Sequence, residues 1–264
     1  MVVVIVPCCV LQCDLRRLLK DINISHSGLS LSAVQSYCKQ LLRALVVLRG
    51  LEMVHADIKP DNVLVSADYR RVKLCDFGSS FKADEVERTP TVGSRYYRAP
   101  EIMMGMLWGS SCDVWSLAAT LFEIYSTRFL FKGASNNEML LRILTLCGAP
   151  PPKLYADGLF YAQHFAPNGD FLESRYDAVA QFDIQIPHKL CANKADVDQL
   201  IVQRLCNIPN VQLQLDRQQK RKLAQFALLL SKMLALNVHK RITPRQALKH
   251  AFCTDPVVVV VATK

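Results

Sequence analysis

The sequence lacks any apolar run long enough to cross a bilayer. Its apolar start, from Met1 to Leu11, has no basic leader and is interrupted by Pro7, so it is also weak as a signal peptide. The run Val257–Val261 is shorter still. We therefore expect no membrane partner, a buried strand at the start, and an extended tail over residues 254–264.

CxxC motifs are missing as well, although the sequence has ten cysteines. They are scattered along the chain, and Cys8, Cys9 and Cys13 form the only cluster. Zinc sites generally use cysteines at short, fixed spacings. The pattern argues against zinc and favours buried thiols in a reduced intracellular compartment.

Acidic residues are in the minority, with 23 Asp and Glu against 32 Lys and Arg, which gives a formal net charge of +9. The basic residues are spread along the chain rather than gathered into a block interleaved with aromatic residues. A solvated basic surface is the better interpretation, and no direct nucleic-acid partner is expected. With 264 residues, 51% of them apolar, and no internal repeat, one globular domain is expected.

Helical periodicity dominates the sequence. Apolar residues at helical spacing predict one long amphipathic helix from Leu29 to Leu48, with Ser30 or Ser32 as its cap. Two short apolar runs, 63–65 and 72–74, predict a small hairpin. Later helices are predicted over 113–125, 136–146 and 223–236, with a looser segment at about 150–220 and a last helix whose start is marked by Thr243, Pro244 and Gln246.

Two polar motifs follow these elements. The long helix is followed by His55-Ala56-Asp57-Ile58-Lys59-Pro60-Asp61-Asn62, and the hairpin is followed by Asp76-Phe77-Gly78. In this order they resemble the catalytic loop and the metal-binding triplet of protein kinases. The resemblance implies that Asp57 accepts or orients the proton of the substrate hydroxyl, and that Asn62 and Asp76 hold the Mg²⁺ ions that bridge the phosphates of ATP.

Lys59 matches the lysine that contacts the transferred phosphate in serine/threonine-specific kinases, so the resemblance also implies that specificity. In phosphoryl transfer the protein does little covalent chemistry and mainly positions the reacting groups and neutralises charge. Two oxygen ligands for the metal ions and one carboxylate facing the hydroxyl meet these needs. Each motif alone is also found in ordinary turns and surface loops. Their order and spacing favour catalysis.

Further matches extend the resemblance from Leu15 to Phe252. Ala99-Pro100-Glu101 matches the end of an activation segment over 76–101, and Asp113-Val114-Trp115-Ser116 matches the start of the central buried helix. The resemblance implies structural roles for an ion pair between Glu101 and Arg241 and for Asp113 as a brace of the catalytic loop. It also implies an α+β protein-kinase-like fold, with a mainly α-helical C-terminal lobe and small β-hairpins.

The segment 94–101, SRYYRAPE, resembles the CMGC group of kinases, whose members carry an insert that here would occupy about residues 150–220. The loop sequence HADIKPDN and the Thr89-Pro90 pair are similar to those of the pre-mRNA processing factor four kinases. That similarity implies protein substrates, with spliceosomal proteins as candidates, and a nuclear rather than a cytoplasmic location.

Ala56 departs from the arginine usual at its position in kinases, which receives a phosphothreonine of the activation loop through charge-assisted hydrogen bonds. A switch of that kind is not expected here. Arg95 and Arg98 match two arginines that pair with a phosphotyrosine in related kinases, and Thr91 stands at the corresponding position. Docking of a phosphate on Thr91 by this pair, and ordinary solvated arginines, are the two alternatives.

The small lobe of a kinase has no evident counterpart in the pattern. None of the ten glycines forms a GxGxxG loop, and no VAIK-like lysine strand precedes the long helix. Residues 1–13 resemble the hinge or the last strand of that lobe, and residues 14–253 resemble the C-terminal lobe. We expect this chain alone to bind ATP poorly and to transfer phosphate slowly or not at all. Two functions stay open: an active kinase seen in part, and a truncated or pseudokinase lobe that acts as a non-catalytic docking module.

Overall fold

The computed structural model describes residues 11–22, 28–85, 87–150, 153–178, 181–190, 195–206 and 216–256. Within these ranges the chain forms ten α-helices and three small antiparallel sheets, which confirms the predicted α+β fold with a mainly helical lobe. The strand predicted at the apolar start lies largely outside the described residues, as does the run Val257–Val261. In the part of the chain that is described, no helix is both long and apolar enough to cross a membrane.

The first half is built on the long helix that periodicity predicted. Helix α2 (Leu31–Gly50) begins after Ser30, whose side-chain oxygen accepts a hydrogen bond from the backbone N–H of Ala33 at 3.3 Å. Such a cap satisfies one of the free N–H groups of the first turn. The chain before α2 forms strand β1 (Leu11–Asp14) and helix α1 (Leu15–Ile22).

Short strands frame the loop 55–62. Strands β3 (Val63–Ser66) and β4 (Val72–Leu74) form the predicted hairpin, and β1 pairs with β3 on its other side. Strand β2 (Met53–Val54) pairs with β5 (Phe81–Lys82). Because β2 ends directly before His55 and β3 begins directly after Asn62, both ends of the loop are anchored by strand pairing.

Helix α4 (Ser111–Ser126) forms the centre of the core, since every residue from Cys112 to Ser126 is buried. It packs against α2 on one side and against α8 (Arg217–Met233) on another. A helix buried all round is typical of the interior of a large helical domain. Helices α3 (Pro100–Met103) and α5 (Asn136–Cys147) lie on either side of it in sequence.

The described residues of the segment 150–220 contain more secondary structure than the sequence predicted. It contains helix α6 (Tyr161–His164), a hairpin of two seven-residue strands, β6 (Phe171–Asp177) and β7 (Phe182–His188), and helix α7 (Ala195–Cys206). The hairpin escaped prediction because most of its side chains are partly or fully exposed, so its apolar alternation is weak.

Capping residues set the starts of the last helices. Helix α8 begins at Arg217, earlier than its apolar stripe suggested, because Asp216 and Gln219 form a capping box. Helix α9 (Pro244–Leu248) has the predicted box between Thr243 and Gln246. Helix α10 (Ala251–Thr254) follows directly.

A buried ion pair joins α3 to the end of the chain. Arg241 Nη1 and Nη2 lie 2.5 and 2.9 Å from the two carboxylate oxygens of Glu101, and both side chains are almost fully buried. The guanidinium also donates to the carbonyl oxygens of Ala235 and Ser111, each at 3.0 Å. It lies over the ring of Trp115 at 5.1 Å. The charge is therefore compensated and its donors are largely satisfied.

We expect Glu101→Ala to lower the free energy of unfolding by about 3–5 kcal/mol, because it leaves a buried guanidinium without its counter-charge. Arg142→Ala is the matched control, since it breaks the exposed pair between Arg142 and Glu138. It should change the free energy by less than about 1 kcal/mol. Urea denaturation followed by circular dichroism measures both, and similar losses in the two variants would contradict the expectation.

Candidate active site

The loop 55–62 is fixed to the core by one carboxylate. Asp113, in the first turn of α4, accepts hydrogen bonds from the backbone N–H groups of His55 and Ala56, each at 2.8 Å. Burial raises the pKa of Asp113, and the two backbone donors oppose that rise. Because Ala56 has a left-handed backbone (φ 67°), this contact holds a strained residue in place.

Asp57 lies at the centre of a hydrogen-bonded cluster. Lys59 Nζ donates to its Oδ2 at 2.7 Å, the backbone N–H of Ser94 donates to its Oδ1 at 2.8 Å, and Asn62 Nδ2 donates to Oδ2 at 3.1 Å. Burial alone would raise the pKa of Asp57, but the donors from Lys59 and Ser94 hold that pKa below its usual value. The side chain is therefore a carboxylate at neutral pH and accepts hydrogen bonds only.

Asp76 is brought beside this cluster by its neighbour Cys75. The backbone N–H of Cys75 donates to the carbonyl oxygen of Asn62 at 3.0 Å. The ring of His55 accepts the N–H of Asp57 at Nδ1 (3.3 Å), so its Nε2–H donates to the carbonyl of Cys75 at 3.0 Å. The same ring lies 4.9 Å from that of Phe77. Hydrogen bonds of Cys75 and the ring contact of Phe77 thus tie the Asp-Phe-Gly triplet to the loop.

The side-chain oxygen atoms of Asn62 and Asp76 are suitable ligands for a hard cation. The amide nitrogen of Asn62 is used by the main chain and side chain of Asp57, and no donor in the described residues reaches its Oδ1. The exposed carboxylate of Asp76 accepts only a 3.3 Å hydrogen bond from the N–H of Gly78 within that part of the chain. Mg²⁺ is typically held by one or two such protein ligands, with phosphates and water completing the shell.

Clusters of metal-binding side chains are a second kind of candidate metal site. No group of three His, Cys, Asp or Glu side chains that could hold a metal ion occurs among the residues whose positions are described. Sites for Zn²⁺ usually need three or four such ligands.

Thr91, Arg95 and Arg98 lie on the segment that follows the triplet. Arg98 is buried, and its guanidinium donates to the carbonyls of Thr91, Val92 and Gly93 at 2.7–3.0 Å and to Asn136 Oδ1 at 2.7 Å. Burial, and then the charge of Arg95, lower the pKa of Arg98 to about 10. Arg95 is exposed and donates to the carbonyl of Ala134. Arg98 thus shapes the segment itself, while Arg95 faces solvent.

A second polar cluster beside the loop escaped the sequence analysis. Arg16 on α1 forms an ion pair with the buried carboxylate of Glu123 on α4, and it donates to the hydroxyl of Tyr97 at 2.6 Å. It also lies 3.2 Å from the carboxylate of Asp61, within the loop. These partners are far apart in sequence, and no local pattern signals their contact. Ser94, which contacts both Asp57 and Lys59, was overlooked because a serine in a polar segment carries no distinctive signal.

Comparisons with known proteins show which family the chain resembles. A family model described as "Protein kinase domain" matches residues 2–152. Over 225 residues, 85% of the chain, it is 37% identical to "Serine/threonine-protein kinase prpf4B" of Dictyostelium discoideum, covering 27% of that protein. Over 243 residues, 92% of the chain, it is 35% identical to "Serine/threonine-protein kinase prp4" of Schizosaccharomyces pombe, covering 49% of that protein.

A third relative has a different name. "Homeodomain-interacting protein kinase 2" of Mesocricetus auratus is 30% identical over 239 residues, which cover 86% of the chain and 20% of that protein. The chain therefore spans from about a fifth to about half of the length of these curated relatives.

Gly93 provides a test of how closely the activation segment must approach the loop. It has φ 71°, and a Cβ on it would lie 2.3 Å from the carbonyl oxygen of Ala56. We expect Gly93→Ala to lower the free energy of unfolding by about 2–4 kcal/mol through backbone strain and overlap. Gly109→Ala is the control, because nothing lies within 4 Å of its Cβ position. Denaturant titration compares the two, and a neutral Gly93→Ala would show that the close approach is dispensable.

Proposed function

The chain belongs to the protein kinase family, and from that membership we propose that it works as a serine/threonine kinase, transferring the γ-phosphate of ATP to hydroxyl groups of proteins. The proposal is supported above all by one observation. Asp57, Lys59 and Asn62 are in mutual contact, and the backbone of Cys75 brings Asp76 next to them. This is the constellation that phosphoryl transfer needs, a carboxylate for the hydroxyl beside oxygen ligands for a divalent ion.

Each side chain has a defined task in the proposed reaction. Asp57, ionised at neutral pH, orients the substrate hydroxyl and accepts its proton as the phosphate is transferred. Lys59 uses two of its three N–H groups on Asp57 and Ser94, which leaves one for an oxygen of the transferred phosphate. Asn62 and Asp76 would hold Mg²⁺, which supplies charge neutralisation on the phosphates when it is bound.

The alternative is a docking module that uses the lobe's surface without catalysis. The observation behind it is that none of the ten glycines lies in a GxGxxG loop, which in kinases covers the phosphates of ATP. On either reading we propose that the 264 residues taken alone bind Mg-ATP weakly. Isothermal titration of the purified chain tests this, and a dissociation constant in the micromolar range would contradict it.

Substrate and location follow from the resemblance to prp4-type kinases. We propose that the substrates include spliceosomal proteins and that the protein acts in the nucleus. Phosphate transfer to purified spliceosomal proteins is compared with transfer to a generic basic protein. Transfer to the generic protein alone would contradict the substrate proposal and leave the kinase proposal standing.

Asp57→Asn tests the catalytic proposal in the full-length protein. It removes the proton acceptor at nearly constant volume, so we expect phosphate transfer to fall by about 10²-fold or more with little change in Mg-ATP affinity. Asp76→Asn should instead weaken Mg-ATP binding. Asp84→Asn, at an exposed position of a turn, is the control and should leave both unchanged.

The outcomes separate the two candidate functions. Radiometric transfer assays and calorimetry are run on the same preparations. An Asp57→Asn variant as active as the wild type would contradict the role of Asp57. A full-length wild type that binds protein partners but neither binds Mg-ATP nor transfers phosphate would favour the docking module.

We further propose that the activation segment is regulated by a phosphate on Thr91. Burial, and then the positive charge of Arg95, lower the pKa of Arg98, and a nearby phosphate would relieve the repulsion between the two arginines. Arg95 is the more available partner, because the donors of Arg98 are taken by main-chain carbonyls and Asn136.

Mass spectrometry of the active protein, purified with phosphatase inhibitors, is expected to detect phosphate on Thr91. Arg95→Ala should then reduce the activity of the phosphorylated form several-fold and leave that of the unphosphorylated form unchanged. Thr89→Ala is the matched control, because it removes the neighbouring hydroxyl, 3.3 Å from that of Thr91, and leaves Thr91 and Arg95 in place. An active protein in which Thr91 is never modified would remove the proposal.

A further inference from the structure

Two buried cysteines that are far apart in the sequence face one another in the fold. The Sγ atoms of Cys38, on α2, and Cys253, on α10, are 4.0 Å apart. Their residues are 0% and 3% exposed, so both thiols lie within the core. Among the six cysteines whose side chains are described, this is the pair whose sulfur atoms are in contact.

Hydrogen bonds from α2 and from α8 hold the backbone around Cys253. The side-chain amide of Gln35 donates to the carbonyls of Phe252 (2.5 Å) and Asp255 (2.8 Å), and Lys222 Nζ donates to the same carbonyl of Asp255 at 2.7 Å. These bonds fix the segment that carries Cys253 relative to Cys38. The fold therefore places α10 against α2 at the point where the two sulfur atoms meet.

The two thiols are chemically unequal. The hydrogen bond from Cys38 lowers the pKa of Cys253, burial opposes this effect, and the positive charges of Lys39 and Lys222 add to it. The pKa of Cys38 is raised, first by the same hydrogen bond and then by burial. Since the thiolate is the reactive form, Cys253 is suited to be the attacking sulfur and Cys38 to be the resolving one.

We propose that Cys38 and Cys253 form a reversible disulfide when the protein meets a peroxide. The Cys253 thiolate attacks one oxygen of hydrogen peroxide, the O–O bond breaks, and a sulfenic acid and hydroxide form. The Cys38 sulfur then attacks the Cys253 sulfur. The S–S bond forms as the S–O bond breaks, and the hydroxyl leaves as water with the proton of Cys38. In total, two thiols and one peroxide give one disulfide and two waters.

The geometry requires only a small movement. A disulfide needs its sulfur atoms about 2.05 Å apart, so the pair must close by about 2 Å, which is within reach of side-chain rotation and a slight shift of α10. Because both thiols are buried, peroxide reaches Cys253 only when α10 (four residues) opens locally, which requires the hydrogen bonds from Gln35 and Lys222 to break. Cellular thiols would reverse the bond by exchange.

The bond would join two elements far apart in sequence. Cys38 lies on the helix that leads to the loop 55–62, and Cys253 lies on the last described helix. A crosslink that closes so long a loop restricts the unfolded chain strongly. The oxidised lobe should therefore resist unfolding more than the reduced one.

Peptide mapping of wild-type protein tests the proposal. The protein is treated with a few equivalents of hydrogen peroxide, quenched with catalase, blocked with a maleimide in denaturant and digested. We expect a crosslink between the peptides of Cys38 and Cys253, an intact mass lower by about 2 Da before blocking, and loss of the crosslink with dithiothreitol. The oxidised protein should melt roughly 3–6 °C higher than the reduced protein.

Variants supply the controls. Cys253→Ala should abolish the mass loss and the shift in melting temperature, whereas Cys112→Ala, at another buried cysteine, should retain both. The mapping itself needs no variant, so it does not depend on whether a variant folds. Oxidation of Cys253 to sulfinic acid without a crosslink, or a crosslink between other cysteines, would overturn the proposal. Neither result depends on kinase activity.

Discussion

The candidate site depends on the contact of Asp113 with the backbone of the loop 55–62. A carboxylate so deeply buried is stable only when donors surround it, and here the donors are the N–H groups of His55 and Ala56. The same two hydrogen bonds satisfy the buried carboxylate and fix the position of the loop. Because Asp113 belongs to the central helix, the loop takes its position from a fully buried element of the core.

The rest of the site follows outward from that contact. Asp57 is the next residue, and its carboxylate is held by Lys59 within the loop and by Ser94 from the activation segment. His55 turns its ring to Cys75, which sets the position of the Asp-Phe-Gly triplet. Hydrogen bonds between successive neighbours therefore connect the core helix to every residue proposed to act on the phosphate.

Much of the fold could be predicted from the sequence, because its main helices have continuous apolar stripes and recognisable caps. Helix α2 and the box at Thr243 are examples of strong local signals that the structure confirms. The hairpin β6–β7 was missed because its exposed residues, such as Tyr176 and Phe182, obscure the alternation of a half-buried strand. Family membership was also predicted correctly, from the order of short motifs.

The site was less predictable than the fold. Motifs identified the residues proposed to take part in phosphoryl transfer, and the roles of these residues stay predictions. The motifs gave no information on contacts between distant segments. The ion pair of Arg16 with Glu123 and the approach of Gly93 to Ala56 depend on tertiary packing. Likewise, the sequence left phosphate docking and solvated arginines as alternatives for Arg95 and Arg98, and it gave no sign that the Arg98 guanidinium is buried and bonded to carbonyls of its own segment.

The left-handed conformations of Ala56 and Asp76 have a consequence for how the site comes into being. Neither residue is a glycine, and of the two φ angles, 67° and 59°, that of Ala56 is the less favourable in an isolated chain, because Asp tolerates this region better than Ala. A peptide spanning Ala56 would relax to other conformations, because the carboxylate of Asp113 that binds its N–H comes from elsewhere in the fold. Assembly of the site and cooperative folding of the lobe are thus one thermodynamic event. At equilibrium, the fraction of molecules with an assembled site cannot exceed the fraction that is folded.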